Sequence, residues 1–258
     1  MKLIKTVFLS AIVLSIAACS TSDENKTVGF YLTDAPADPK IAAVYIDVQG
    51  IRYSTNDENW TDLAITPTLV NLLDYQNGND TLLSNIELEA GVKVQQIRLI
   101  LGADNYIVLT DGTEHAIQTP GAQESGLKFN VHSESEVHSG YKVLIDFDAS
   151  RSIVKKGNGG YSLKPVIRAY ITANTSSIIG TISPDDIATR IFTITPGGDT
   201  IATVSDTLQN NRFVLHGLGT GTYELKAQEL ETEEVKSLKT GITVVGGRDV
   251  NVGTIVLP

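Results

Sequence analysis

Val143-Leu144-Ile145-Asp146-Phe147-Asp148 reads as a β-strand. Successive side chains of a strand point to opposite faces. Val143, Ile145 and Phe147 therefore share one face, and Leu144, Asp146 and Asp148 share the other. The first face is core and the second is mostly polar. Runs of the same kind recur along the chain: Val28–Thr33, Ala43–Tyr53, Trp60–Ile65, Val94–Leu101, Tyr106–Thr110, Gly126–Val131 and Leu163–Ile171. Asn77-Gly78, Asp111-Gly112 and Gly157-Asn158-Gly159-Gly160 supply turns between them. A second series follows at Ile178–Ser183, Arg190–Thr195, Thr200–Val204, Arg212–His216, Thr222–Gln228, Lys239–Val245 and Asp249–Leu257. Strands at this spacing predict an all-β chain. Thr68–Tyr75 fits a short helix or a strand, and the helix is favoured. The small polar stretch Thr172–Ser177 reads as a linker, so two β-sandwich-like domains are expected, at 27–173 and 177–258.

The chain opens differently. Lys2 and Lys5 precede an apolar run from Val7 to Ala18 that is too short to span a bilayer, which takes about 20 residues. It fits a secretory signal peptide, residues 1–18. The run ends Leu14-Ser15-Ile16-Ala17-Ala18-Cys19, and Cys19 is the chain's single cysteine. Small residues before a cysteine resemble the bacterial lipobox. That resemblance implies cleavage before Cys19 and fatty acyl chains on its sulfur, an anchor to the envelope membrane. Lipid adds about 0.8 kcal/mol per buried CH₂, so several chains hold firmly. Residues 19–26 form a polar tether. Its Asp23-Glu24 resembles the acidic export signal of Bacteroidetes-type lipoproteins, and is equally a solvated linker. The expected location is the outer membrane, lipid-anchored, on its periplasmic or cell-surface face.

Composition narrows the partners. The 258 residues are 41% apolar and 19% charged, a globular balance. The net charge is −10, and removing residues 1–18 takes away Lys2 and Lys5 but no acid, leaving −12. Such a surface repels phosphate backbones, so nucleic acid is excluded. A lone cysteine excludes an internal disulfide and a thiolate metal cluster.

Two families are resembled. Leu32-Thr33-Asp34-Ala35-Pro36, Val70-Asn71-Leu72-Leu73-Asp74, Gln96–Leu101, Gly126-Leu127-Lys128-Phe129, Asp146–Ser150 and Leu163–Arg168 are similar, in order and spacing, to the lipoprotein family called domain of unknown function 4382. The likeness runs from about 27 to 173. It implies a β-rich envelope domain and no activity. Residues 177–258 resemble the carboxypeptidase-regulatory, transthyretin-like sandwich through Ile179-Gly180-Thr181-Ile182, Phe213–Leu218, Gly221-Thr222-Tyr223 and Gly253–Leu257. This second resemblance implies a non-catalytic support module. Its usual acidic-glycine turn is here Gln209-Asn210-Asn211, and asparagine tolerates the left-handed backbone.

The suggestive side chains are few. Asp34, Asp146 and Asp148, if brought together, offer oxygen ligands for calcium or a carboxylate pair for hydrolysis. Against this stands the plainer reading that they cap turns and pair with Arg98, Lys128, Lys164 or Arg168. His132 and His138 flank Ser133-Glu134-Ser135-Glu136 without a third metal ligand. His115 and His216 read as satisfied surface residues. No Gly-x-Ser-x-Gly elbow and no phosphate loop occur. Trp60, the single tryptophan, stands beside Asn56, Asp57, Glu58 and Asn59. It is read as a core plug, with sugar stacking as the other possibility.

Three functions are therefore expected, in order. The first is a lipid-anchored envelope protein with a binding, adhesion or scaffolding role, no catalysis and no cofactor, its partners being the membrane and an envelope protein or glycan. The second is a glycan-binding lipoprotein using Trp60 or the Tyr31, Tyr45 and Tyr53 set. The third is a calcium-dependent envelope hydrolase.

Overall fold

The computed structural model describes residues 25–35, 40–56, 58–89, 92–119, 121–132, 141–228 and 234–257. Cys19 with its signal segment, Asp57, His138 and the 133–136 stretch lie outside these residues, as does the His132 side chain.

The described residues are nearly all β, in several sheets, as the alternating runs predict. In chain order the strands are β1 (Lys26–Ala35), β2 (Ile41–Ser54), β3 (Thr61–Leu63), β4 (Thr68–Asn71), β5 (Thr81–Leu88), β6 (Gln96–Leu101) and β7 (Tyr106–Leu109). Next come β8 (Glu114–Gln118), β9 (Leu127–His132), β10 (Tyr141–Asp148), the one-turn helix α1 (Ala149–Ser152), β11 (Ile153–Lys155), β12 (Tyr161–Leu163) and β13 (Ile167–Ile171). The remainder are β14 (Ser176–Ser183), β15 (Arg190–Ile194), β16 (Thr200–Val204), β17 (Arg212–Leu218), β18 (Gly221–Gln228), β19 (Val235–Val244) and β20 (Val250–Val256).

The first large sheet has the order β11-β12-β8-β7-β2-β6-β9-β13-β10-β1-β5, with β3 and β4 also pairing β2. It curls until β5 approaches β3, where the Ser84 hydroxyl donates to the Ala64 carbonyl at 2.8 Å. Curling in this way shields edges that would otherwise invite pairing with another chain. β1 lies parallel to β10 with Thr33 opposite Asp146 and Asp34 opposite Phe147. β13 lies on the other side of β10, antiparallel, with Arg168 opposite Asp146.

β2 shows how sequence sets a face. Val44, Ile46 and Val48 are buried, and then Ile51. The two-residue period slips by one at Gln49-Gly50, where the ladder to β6 shifts register. A bulge there, eased by glycine, keeps both halves of a fourteen-residue strand facing one core. Thr68–Tyr75 divides between the two predicted readings: β4, then a 3₁₀ turn over Leu72–Tyr75 capped by the Asn71 side chain. The expected strand Leu163–Ile171 is broken at Lys164-Pro165-Val166 into β12 and β13, since proline has no N–H for the ladder.

Buried side chains form two clusters. One draws on residues from Val28 to Ile171, the other on residues from Ile178 to Ile255. The second fills a sandwich of two sheets, β17-β14-β20 and β16-β15-β18-β19. Phe213 is fully buried there, and such a side chain contributes about 1.5–3 kcal/mol by burial. Its ring lies 2.7 Å from where a Cβ on Gly180 would stand, which is why β14 carries glycine at that point. Asn210 and Asn211 both adopt a φ of 53°, the left-handed backbone expected of that turn.

The linker reading of Thr172–Ser177 is corrected. Thr172–Asn174 is a 3₁₀ turn, and Ser176 and Ser177 already belong to β14 and are buried. Their polar groups are all used by the second sandwich. The Ser176 hydroxyl donates to the Val245 carbonyl at 2.9 Å and accepts from the Arg248 N–H at 3.0 Å. The Ser177 N–H donates to Asp249 at 2.7 Å. Small polar residues look like linker in sequence, yet here they fit a tight, hydrogen-bonded seam.

Candidate functional site

The suggestive acids lie where the two cores meet. Leu144 and Tyr170 are buried but stand outside the first core cluster, on the opposite face of β10 and β13. With Thr33, Asp146 and Arg168 they form the face of the first sheet that turns toward β16 and β17. Both faces of β10 are therefore buried, the mostly polar one beneath the second sandwich.

The closing loop comes from the first part. The Thr33 hydroxyl is within hydrogen-bonding distance of the carbonyls of Tyr75 (2.9 Å) and Asn79 (2.8 Å), which fixes the turn between them. Asn77 and Gly78 at its tip both have positive φ, 54° and 93°. The Asn77 amide donates to the Arg212 carbonyl at 2.9 Å, and its oxygen accepts from the Val214 N–H at 2.7 Å. Gly78 sits under His216, whose Nε2 lies 2.8 Å from where a Cβ would be. On the other side of the seam the Tyr170 ring fills the space of a missing Cβ on Gly217.

Each acid has a distinct task. Asp146 forms an ion pair with Arg168 across the β10–β13 ladder. Burial works against the Arg168 charge, but Asp146, Tyr170 and Asp148 together outweigh it, so its pKa rises. Asp148 caps α1, accepting from the Arg151 N–H at 3.0 Å and the Ser150 hydroxyl at 2.9 Å. Burial nevertheless pushes its pKa up. Asp34 follows Phe30 and Leu32 along β1 and is only 5% exposed. One oxygen accepts from the Ala149 N–H at 3.1 Å, and the other, Oδ2, is buried with no hydrogen-bond partner. Burial above all, then Asp146, pushes the Asp34 carboxyl well above its ordinary value. The two also push the Tyr170 phenol up, burial first.

Asp34, Asp146 and Asp148 are thus neighbours that influence one another. Among the described residues no group of three or more His, Cys, Asp and Glu side chains converges as a metal site. The space enclosed by the seam is about 20 Å³, lined among others by Thr33, Asp146, Arg168, Tyr170, Thr203 and His216. That admits a water molecule and no substrate. The Tyr170 and Thr203 hydroxyls that border it are buried without partners.

His216 belongs to this seam rather than to a free surface, which corrects its expected setting. Its Nδ1 is 2.8 Å from the Ser177 hydroxyl. Burial lowers its pKa, against the pull of Asp146, Asp249 and Asp80. His115, by contrast, tilts against the Tyr161 ring at 5.0 Å.

Trp60 is not a core plug. It is half-buried, outside both core clusters, with the Arg98 guanidinium over its ring at 4.1 Å and the Lys128 ammonium at 5.7 Å. The three tyrosines of the expected glycan set are not brought together. Tyr31 lies under Lys142 at 4.2 Å, Tyr45 stacks on Tyr106 at 4.6 Å, and Tyr53 packs by Phe30 at 6.1 Å. Tyr45 lines an open groove of about 530 Å³ with Leu69, Asp74, Tyr75 and Leu82.

No curated protein matches the chain in sequence. Among solved structures it is similar to the Bacillus anthracis TIE protein, at 9% identity and a TM-score of 0.24, over 90% of this chain and 34% of that one. It is similar to the major pilin T-13 of Streptococcus pyogenes at 10% identity and a TM-score of 0.21, over 91% and 98%. A fimbrial protein from Bacteroides ovatus gives 9% identity and a TM-score of 0.23, over 91% and 50%. Superpositions this loose carry no functional argument. The family model is decisive where these are not: it matches residues 25–165, more than half the chain, and the protein belongs to the family described as Domain of unknown function (DUF4382).

Proposed function

We propose that this protein is a lipid-anchored component of the cell envelope with a binding, adhesion or scaffolding role and no catalysis. The observation that carries the reading is the fate of its best catalytic candidates. Asp148 caps α1, Asp146 is held by Arg168, and Asp34 is buried beneath the sheet end; the space that Asp34 and Asp146 line takes only a water molecule. A hydrolase would aim its carboxylates into a cleft that holds substrate. Here they are spent on joining β1, β10 and α1 and on the seam to the second sandwich. Asp146 is already neutralised, which also counts against a calcium-dependent hydrolase.

The anchor is Cys19, and the outer membrane is its place. Residues 177–258 serve as a carboxypeptidase-regulatory-like support module. Bound side by side through Asn77, Tyr170 and His216, the two parts act as one stiff body that presents its loops and sheet faces away from the lipid. The test is fractionation of cells making the full chain. Wild type is expected with the outer membrane, and Cys19→Ala in the soluble envelope fraction. An unchanged membrane fraction refutes the anchor. Addition of calcium to the purified mature protein is expected to leave its Tm unaltered, and a rise would revive the hydrolase.

A further inference from the structure

We infer that the outer face of β3-β2-β6-β9 is a binding surface for an acidic polysaccharide, built on Arg52, Arg98, Lys128 and Trp60. The register places these cations in a row. Arg52 on β2 stands opposite Arg98 on β6, and Arg98 stands opposite Lys128 on β9. Arg52 and Arg98 alternate with buried Ile51, Ile97 and Leu99, and Lys128 with Leu127 and Phe129, which pack against the same core, so the three point outward together. Strands lie about 4.8 Å apart, so the row extends roughly 10 Å.

Like charges placed directly opposite one another destabilise a sheet. One acid compensates: Asp62, at the same level on β3, pairs with Arg52. Among the described residues no acid pairs with Arg98 or Lys128. The Arg98 Nε is buried with no acceptor. Two unneutralised cations at the middle of one sheet face are unusual in a mature chain of net charge −12, and they are suited to an external anion. At physiological salt the Debye length is about 8 Å, so the remote negative charge does not cancel the row locally.

Trp60 turns the row into a site. The Arg98 guanidinium lies over its ring at 4.1 Å, a cation–π contact that leaves the terminal nitrogens of the fork for a carboxylate or sulfate. One step along the same face stand Gln96 and Asn130, joined by a 3.1 Å amide hydrogen bond. The Gln96 Oε1 is buried and unpartnered. Neutral amides beside a charged fork and an aromatic ring match a sugar that carries hydroxyls and a carboxylate on one ring.

This inference names a partner for the binding role proposed above and rests on that reading. Its test uses the full mature chain with Cys19→Ala, which is free of lipid. Trp60 is the single tryptophan, so its fluorescence reports on the site directly. Polygalacturonate is expected to change that emission saturably, with affinity falling as salt rises. Arg98→Gln is expected to weaken binding about tenfold or more, as loss of a charge-assisted pair does. Lys128→Gln, on an exposed side chain that folding does not need, should weaken it severalfold. Lys236→Gln, on the second sandwich, should leave it unchanged. No response to polygalacturonate, an equal response to neutral dextran or to polyglutamate, or an equal loss in Lys236→Gln overturns the assignment. Failure here leaves the Cys19 fractionation result standing, so the two readings fail separately.

Discussion

Asn77 and Val214 meet as though they were strand partners. The Val214 N–H donates to the Asn77 side-chain oxygen at 2.7 Å, and the Asn77 amide returns a hydrogen bond to the carbonyl of Arg212, two residues back, at 2.9 Å. One side chain thus satisfies two backbone groups of β17, and it does so from a turn whose backbone is left-handed at both Asn77 and Gly78. Asparagine is the residue that tolerates that backbone and carries both a donor and an acceptor.

Asn77→Gly keeps the left-handed turn and removes both bonds. The β17 groups are then left without their partner, at a cost of about 1–3 kcal/mol. Calorimetry is expected to show a lower Tm than wild type, with the two cores unfolding as separate transitions. A single transition at the wild-type temperature would show that the seam is held by other contacts.

Gly217→Ala tests the opposite side of the seam. Gly217 has a φ of 75°, and an added Cβ would lie 2.7 Å from the Tyr170 ring. Backbone strain and overpacking together should cost about 1–3 kcal/mol, read from chemical denaturation. In a Tyr170→Ala background the steric part disappears. The penalty for Gly217→Ala should shrink there, and an undiminished penalty would mean that the ring is not what glycine accommodates.

How much of this was legible beforehand depends on where the partner of each residue lies. The alternation in Val143–Asp148 gave its core face correctly, because that signal is local. That its other face is also buried depends on β16 and β17, more than fifty residues away, and no window of sequence carries that. β5 is an edge strand whose Ser84-Asn85 breaks the apolar alternation, and β8 holds Ile117 as its single large apolar side chain, so neither carries a legible strand signal. β1 and β10 run alongside each other with Asp34 opposite Phe147 and Asp146 opposite Thr33, so Asp34, Asp146 and Asp148 come near one another without converging, among the described residues, as a metal site. Their tasks, capping and pairing, follow from Ala149 and Arg168. In sequence, Arg98 and Lys128 read only as partners for acids. What they stand beside, Arg52 and Trp60, is set by strand register.

The seam should weaken in mild acid through His216. Burial holds its folded pKa below the ordinary 6.5. Below 6.5 the unfolded chain takes up a proton that the folded protein resists, so stability falls as pH drops through the folded value. His216→Gln keeps a polar partner for the Ser177 hydroxyl and does not titrate. Its stability curve is expected to be flatter than wild type in the range below pH 6.5. Parallel curves for the two proteins would place the acid sensitivity elsewhere.

Asp34 works with the opposite sign. Its folded pKa is raised well above 3.8 by burial and by Asp146, so the folded protein retains a proton that the unfolded chain releases. Stability attributable to this group is complete below 3.8 and is lost as pH rises through the folded value. Asp34→Asn preserves the oxygen that accepts from the Ala149 N–H and removes the ionisation. The variant should therefore be more stable than wild type at pH 7, with the difference closing as pH falls toward 3.8. Denaturation of both proteins across that range measures it. An Asn variant that is less stable at neutral pH would mean that the ionised carboxylate is needed, and that the buried Oδ2 has a cationic partner in solution.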